Sequence, residues 1–169
     1  MAGIEIERKY IIKLPDVEKM KREDGYTVSN ITQIYINSPA GVTHRVRKRA
    51  YPDKTVYTET RKTRIDKMSV LEDEREITEE AFLSLSNNVK VGTRPVLKTR
   101  HTFRRGKTVV EIDVYPEWKT TCILETELID REEKVAFPDF IEIVKEVTGE
   151  FEYSNASMAK SFPPEIKAE

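Results

Sequence analysis

The sequence predicts a mostly-β, α+β chain: an eight-stranded antiparallel closed barrel with helices in the connections and at the C-terminus. Three observations point there. Eight segments alternate in period two or are rich in Val, Ile, Thr and Tyr, as half-buried strands are. Short turn sequences separate them, among them Ser38-Pro39-Ala40-Gly41, Tyr51-Pro52-Asp53-Lys54 and Arg105-Gly106-Lys107. Helical periodicity is confined to a few stretches between strands and to the C-terminal part.

The first strand runs to about Leu14. In it Ile4 and Ile6 point one way, and Glu5, Glu7 and Lys9 the other. Pro15-Asp16 opens a short helix, with Asp16 as N-cap, Val17 and Met20 facing inward and Gly25 as its stop. Strands follow at 26–37, 42–50, 55–64 and near 69–77. The third carries Arg45, Arg47 and Arg49 on one face, the fourth Thr58, Thr60 and Lys62, the fifth Glu72, Glu74 and Glu76. Thr78 caps a helix to about Val89, with Glu79 and Glu80 in the first turn, where the dipole favours acids, and Ala81, Phe82 and Leu85 as its apolar side. Strands at 94–104, 108–115 and 121–130 carry Lys98 and Arg100, Glu111 and Asp113, and Glu125 and Glu127. Pro138, at the favoured first position, opens a helix with Phe140, Ile143, Val144 and Val147 on one side and Gly149 as its stop. Residues Tyr153 to Lys160 read as a last short helical segment.

The 169 residues suffice for one domain over 1–169 with its own core. Charged residues make up 35% of the chain, yet the formal net charge is -1, so a double-stranded nucleic-acid partner is not expected. No run of about 18 apolar residues and no apolar signal segment occurs, so no membrane partner is expected. Cys122 is the only cysteine. It leaves no disulfide framework and no Cys-based zinc site, and suits a reducing cytoplasm. The two histidines, His44 and His101, fall opposite the charged faces and read as outer-face residues.

The charges are therefore many and balanced, and their placement carries the information. Acidic rows are Glu5/Glu7, Glu74/Glu76, Glu111/Asp113 and Glu125/Glu127; basic ones are Arg45/Arg47, Lys98/Arg100 and Lys62, with Lys9 continuing the first row. Alternation alone leaves two arrangements open. In a closed barrel the charged faces line the interior; in a sandwich they face water and the apolar faces form the core. Bases suit a phosphate chain and clustered carboxylates suit hard divalent cations, so an interior with both suits a metal–polyphosphate complex.

Glu5-Ile6-Glu7-Arg8-Lys9 resembles the ExExK signature of the CYTH superfamily, the triphosphate tunnel metalloenzymes. Later motifs keep that family's order. Arg45-Val46-Arg47 is similar to its RxR, Thr60-Arg61-Lys62 to its TxK, Glu74-Arg75-Glu76 to an ExE row and Lys98-Thr99-Arg100 to its KxR. Glu111-Ile112-Asp113-Val114-Tyr115 is similar to its ExDxF/Y strand, Leu124-Glu125-Thr126-Glu127-Leu128 to its ExE strand, and Tyr153-Ser154-Asn155 to a pattern near its C-terminus. The resemblance covers residue 4 to about 160 and is closest to the bacterial inorganic-triphosphatase branch. One departure is Ile34, where many bacterial members have glycine before the tyrosine that is Tyr35 here; another is the basic 63–70 linker, a region that varies among members.

The resemblance implies a triphosphate tunnel working with Mg2+ or Mn2+. Carried over residue by residue, Lys9, Arg45, Arg47, Lys62, Lys98 and Arg100 hold phosphate oxygens. Glu5, Glu7, Glu111, Asp113, Glu125 and Glu127 hold metal, with Glu74 and Glu76 in support. Tyr35 with Lys98 or Lys62 acts on the attacking water. Three activities stay open: hydrolysis of a triphosphate, cyclisation of ATP to cyclic AMP and pyrophosphate as in class IV adenylyl cyclases, and nucleotide or polyphosphate binding without turnover. Faces charged nearly end to end, with no aromatic row for a base, favour hydrolysis of inorganic triphosphate over ATP. The implied partner is a small-molecule triphosphate or nucleotide, and a homodimer is compatible with the sequence.

Overall fold

The computed structural model describes residues 2–168. Its nine strands are β1 (Ala2–Lys13), β2 (Asp24–Ile36), β3 (Val42–Ala50), β4 (Thr55–Arg64), β5 (Ser69–Ile77), β6 (Val96–Arg105), β7 (Thr108–Val114), β8 (Thr121–Leu128) and β9 (Ile143–Glu146). Three helices, α1 (Val17–Met20), α2 (Glu79–Leu85) and α3 (Asn155–Lys160), sit in connections or near the C-terminus. All strand pairs are antiparallel, in the order β5-β4-β3-β2-β6-β7-β8-β1, and β1 pairs again with β5. Eight strands therefore form a ring, which removes the exposed edges an open sheet would leave. Ring closure decides against the sandwich arrangement.

The twelve residues of β1 make this closure possible. One edge pairs with β8 over Ile6–Lys13. The other pairs with β5 over Ala2–Ile6 and then, after β5 has ended, with β9 over Tyr10–Ile12. The helix expected over 138–149 is thus not formed. Ile141 N–H donates to the Pro138 carbonyl at 3.0 Å in a single turn, and the chain then runs as β9. The physical reason is the stretch of β1 edge left open beyond β5, whose N–H and C=O groups need partners. Spacing at 140, 143, 144 and 147 served this arrangement equally well: Phe140 packs on one apolar cluster, while Val144 and Val147 join another.

Smaller departures have local causes. Asp16 caps α1, its carboxylate accepting from Glu18 N–H at 2.9 Å, but the helix has one turn, so only Met20 is buried and Val17 is exposed. Gly25, expected as a helix stop, lies inside β2 with φ +65°, next to the irregularity in the β2–β6 register. Thr78 caps α2 as read, accepting from Ala81 N–H at 3.1 Å, and the helix gives way to a 3-10 turn at Ser86–Asn88.

Apolar residues pack outside the ring and at one end of it. Tyr10, Ile12, Phe103, Val110, Ile112 and Leu124 on the outer face lie under Met20 of α1 and under Phe137, Phe140 and Ile141. Phe82 of α2 covers Ile36 and Val46. At the end where β1 finishes, inward residues Ile11, Tyr35, Val96, Tyr115 and Ile123 meet Tyr153 and α3's Met158 and Ala159 in an apolar plug. Both histidines are on the outer face as read, and both are buried. His44 Nε2 lies 2.8 Å from Glu59, and His101 Nδ1 lies 2.8 Å from the Tyr26 hydroxyl.

Candidate active site

Strand order around the ring sorts the charged rows. β4, β3, β2 and β6 are contiguous and bring Lys62, Arg45, Arg47, Arg49 and Arg100. β7, β8, β1 and β5 complete the circle and bring Glu111, Glu125, Glu127, Glu5, Glu7, Glu72 and Glu74. All of these line one cavity of about 590 Å³. The interior therefore has a basic arc facing an acidic arc. Lys9 is the exception on the acidic side, and its ammonium is 3.2 Å from Glu125.

The basic arc is short of anions at Arg45 and Arg47. Arg47 gives two hydrogen bonds to the neutral Gln33 Oε1, at 3.1 and 2.7 Å, and has no carboxylate partner among the described residues. Gln33 in turn donates to the Tyr35 hydroxyl at 3.2 Å, so Tyr35 enters the cavity wall through this relay. Arg45 Nε is buried with no hydrogen-bond partner. Burial, with Arg45 and Arg100 close by, pulls Arg47 down to about 9.

The acidic arc has fewer cations than carboxylates. Burial pushes Glu5 up to about 8, helped by its hydrogen bond with Glu72. Burial and the Glu125 charge raise Glu7; burial and Glu111, Glu72 and Glu7 raise Glu127. Lys62 sits between Glu5 and Glu72, 3.3 Å from each, and is the only base among the described residues within 4.0 Å of these two. Glu125 is different: burial pushes it up, but Lys9, Arg100 and Lys98 together more than offset that, and it lies at about 2.

Not every expected residue reaches the cavity. Lys98 and Asp113 point inward but stand behind the wall, with side chains 0% and 1% exposed. Both Asp113 oxygens are engaged, by Arg100 at 2.7 and 2.8 Å and by Lys98 at 2.7 Å, so Asp113 serves as the anchor of Arg100. Arg100 also donates to Glu111 at 2.6 Å. Lys98 is covered by the Asn155 carboxamide, 3.4 Å away, which also accepts from the Tyr115 hydroxyl at 2.7 Å. Burial brings Lys98 down to about 7, with Arg100 and Arg47 acting against the pull of Asp113. Glu76 lies outside the cavity lining, and Glu72 of the same row takes a place in it. The period-two row 72–74–76 contained that signal; the depth of each member along the tunnel did not show. Gln33, two residues before Tyr35, shares its face and was also legible. Of the rim cations, Arg64 continues the period-two row of Thr60 and Lys62, while Lys67 and Lys90 come from loops that carry no periodic signal.

The acidic arc offers only carboxylate oxygens, the donors that hard divalent cations take. A cation there would also offset the burial, and the added repulsion between neighbouring carboxylates, that raise Glu5, Glu7 and Glu127. In chemistry these residues fit Mg2+ or Mn2+. In the present arrangement no three His, Cys, Asp or Glu side chains among the described residues converge tightly enough to hold one ion.

No family model matches the chain, and no curated protein matches it. Solved structures do. The inorganic triphosphatase NE1496 is 25% identical, over 95% of this chain and 97% of that one, with a TM-score of 0.59. The PH1819 protein from Pyrococcus horikoshii OT3 is 22% identical, over 76% of this chain and 80% of that one, with a TM-score of 0.59. A putative adenylate cyclase from Vibrio parahaemolyticus is 14% identical, over 75% and 78%, with a TM-score of 0.51.

Proposed function

We propose that this chain, which has the fold of the CYTH/triphosphate tunnel superfamily, is a divalent-cation-dependent triphosphatase acting on inorganic triphosphate. The observation that carries this reading is the pair of opposed arcs, one short of anions and the other short of cations. A metal–triphosphate complex supplies both at once. The likeness to NE1496, an inorganic triphosphatase, over nearly the full length of both chains supports the choice of substrate.

In this reading Arg45, Arg47, Lys62 and Arg100 bind the phosphate oxygens, the arginines bidentately and the lysine as a point charge. Lys9 closes the row from the acidic side. Lys98 and Asp113 hold Arg100 in register from behind. Glu5, Glu7, Glu72 and Glu127 would hold the metal, with Glu111, Glu125 and Glu74 beside them. When bound, the metal supplies charge neutralisation and a more acidic water. The Tyr35 hydroxyl, fixed by Gln33, orients the attacking water. Positioning and charge stabilisation carry most of phosphoryl transfer, so no separate nucleophilic side chain is needed.

The test is a phosphate-release screen over inorganic triphosphate, thiamine triphosphate, ATP and longer polyphosphates, with Mg2+ and with Mn2+, the products resolved by chromatography. Orthophosphate and pyrophosphate from inorganic triphosphate are expected to dominate. Cyclic AMP with pyrophosphate as the main product from ATP would overturn the assignment in favour of a cyclase.

A further inference from the structure

A second, smaller cavity of about 90 Å³ adjoins the tunnel mouth. The two share wall residues, Tyr35, Ser38, Thr43, Lys90, Phe151 and Ala156. Its composition is unlike the tunnel's. No Asp or Glu lines it, whereas Lys90, Lys160 and His44 do. His44 Nε2 is turned to Glu59, and the hydroxyls of Ser38 and Thr93 donate to backbone carbonyls at 2.6 Å. Besides the Tyr35 hydroxyl, which accepts from Gln33, the polar side chains left for a guest are those of Thr43, Lys90 and Lys160.

Backbone hydrogen bonds hold the two segments that carry these lysines near each other. Lys90 N–H donates to Tyr35 O at 2.8 Å, and Arg94 N–H donates to the carbonyl of Ala159 at 2.8 Å. The second bond docks the 90–94 loop on the last turn of α3, next to Lys160. Neither lysine has a carboxylate within 4.0 Å among the described residues. Two cationic residues in the lining of one chamber, with no acid in it, favour an anion there. The volume limits its size: about 90 Å³ is well below the roughly 300–1,000 Å³ of pockets that take drug-sized ligands. A tetrahedral oxyanion fits, and a nucleoside does not.

We propose that this side chamber binds one orthophosphate, the fragment released beside it when a triphosphate is cleaved in the tunnel. Its role as a product site rests on the hydrolase reading; its chemistry as an oxyanion site does not. Lys160 lines the chamber and not the tunnel, so it reports on the chamber alone.

Titration calorimetry with inorganic phosphate, in the absence of metal and triphosphate, tests this on the wild type and on Lys160→Ala, Lys160→Glu, Lys90→Ala and Lys54→Ala. Binding at the chamber should weaken by about tenfold or more in Lys160→Ala and Lys90→Ala, as for loss of one charge-assisted contact. It should vanish in Lys160→Glu and persist in Lys54→Ala, whose change lies in neither cavity. Circular dichroism confirms that each variant is folded. No binding by the wild type, wild-type affinity in the Lys160 variants, or an equal loss of binding in Lys54→Ala would each overturn the chamber. A chain that hydrolyses no triphosphate but binds phosphate through Lys160 fails only the hydrolase reading. One that hydrolyses triphosphate with phosphate binding indifferent to Lys160 fails only the chamber.

Discussion

Replacing Arg47 by methionine should make the empty protein no less stable and much poorer at binding triphosphate. Arg47 is 8% exposed and its guanidinium has only Gln33 for company. Burial, with Arg45 and Arg100 close by, pulls the guanidinium down to about 9, so the fold disfavours the charge. Relaxation and water entry into the tunnel cut the realised cost to a few kcal/mol. Methionine keeps much of the volume and removes the charge. It also leaves Gln33 Oε1 without its donor, which costs about 1–3 kcal/mol. The two effects nearly cancel, leaving a change between zero and about +2 kcal/mol, or a rise in Tm of up to about 8 °C for a chain of this size. Binding moves the other way. Losing a buried bidentate contact to a phosphate costs about 2–5 kcal/mol, which is a weakening of about 30-fold to several thousand-fold. Differential scanning calorimetry and titration with triphosphate on the same samples measure both. A Tm lowered by more than about 5 °C would refute the claim that the fold holds this charge at a cost. An unchanged Kd would remove Arg47 from the site.

Excess EDTA should abolish phosphate release, and Glu5→Gln or Glu127→Gln should cut turnover by about 100-fold or more while the protein stays folded, since each removes a charged oxygen donor from the acidic arc; full activity in EDTA would remove the metal from the mechanism. Burial lowers the pKa of His101, so the unfolded chain takes up a proton that the fold refuses. Its contribution is complete above pH ~6.5 and is lost as pH falls below that value. The Tm advantage of wild type over His101→Gln should therefore shrink from pH 7.5 to pH 5.5, and a constant difference would show that His101 titrates normally. Glu165 accepts from the backbone N–H groups of Lys119, Thr120 and Thr121 at 2.6 to 3.1 Å and sits at about 2. Glu165→Ala should lower Tm and open the segment after Lys160 to limited proteolysis; unchanged cleavage would show that the segment is held by Phe162 and the Trp118–Pro163 hydrogen bond instead.

Period two determined a great deal before any coordinates. It fixed which residues share a face, because side chains alternate strictly along a strand. All eight ring strands lie within a few residues of where alternation placed them, and the rows 5–7–9, 45–47–49, 72–74 and 125–127 each stand on one side of the sheet as read. Which side is inside was beyond that pattern. It was decided by Ala2–Ile6 pairing with Asp73–Ser69, a contact between segments more than sixty residues apart that closes the ring. Closure also set the strand order, and with it the separation of bases from acids. In sequence the rows run acid, base, base, acid, base, acid, acid; around the ring they fall into two arcs. Depth was likewise a tertiary matter. Lys98 and Asp113 have the same parity as Arg100 and Glu111, yet Asn155 and Tyr115 cover them, because α3 plugs that end of the ring. The segment 138–149 shows the limit most plainly. Its apolar spacing suits one helix face, but an unpaired stretch of β1 edge needed partners, and satisfying those backbone groups outweighed the local preference.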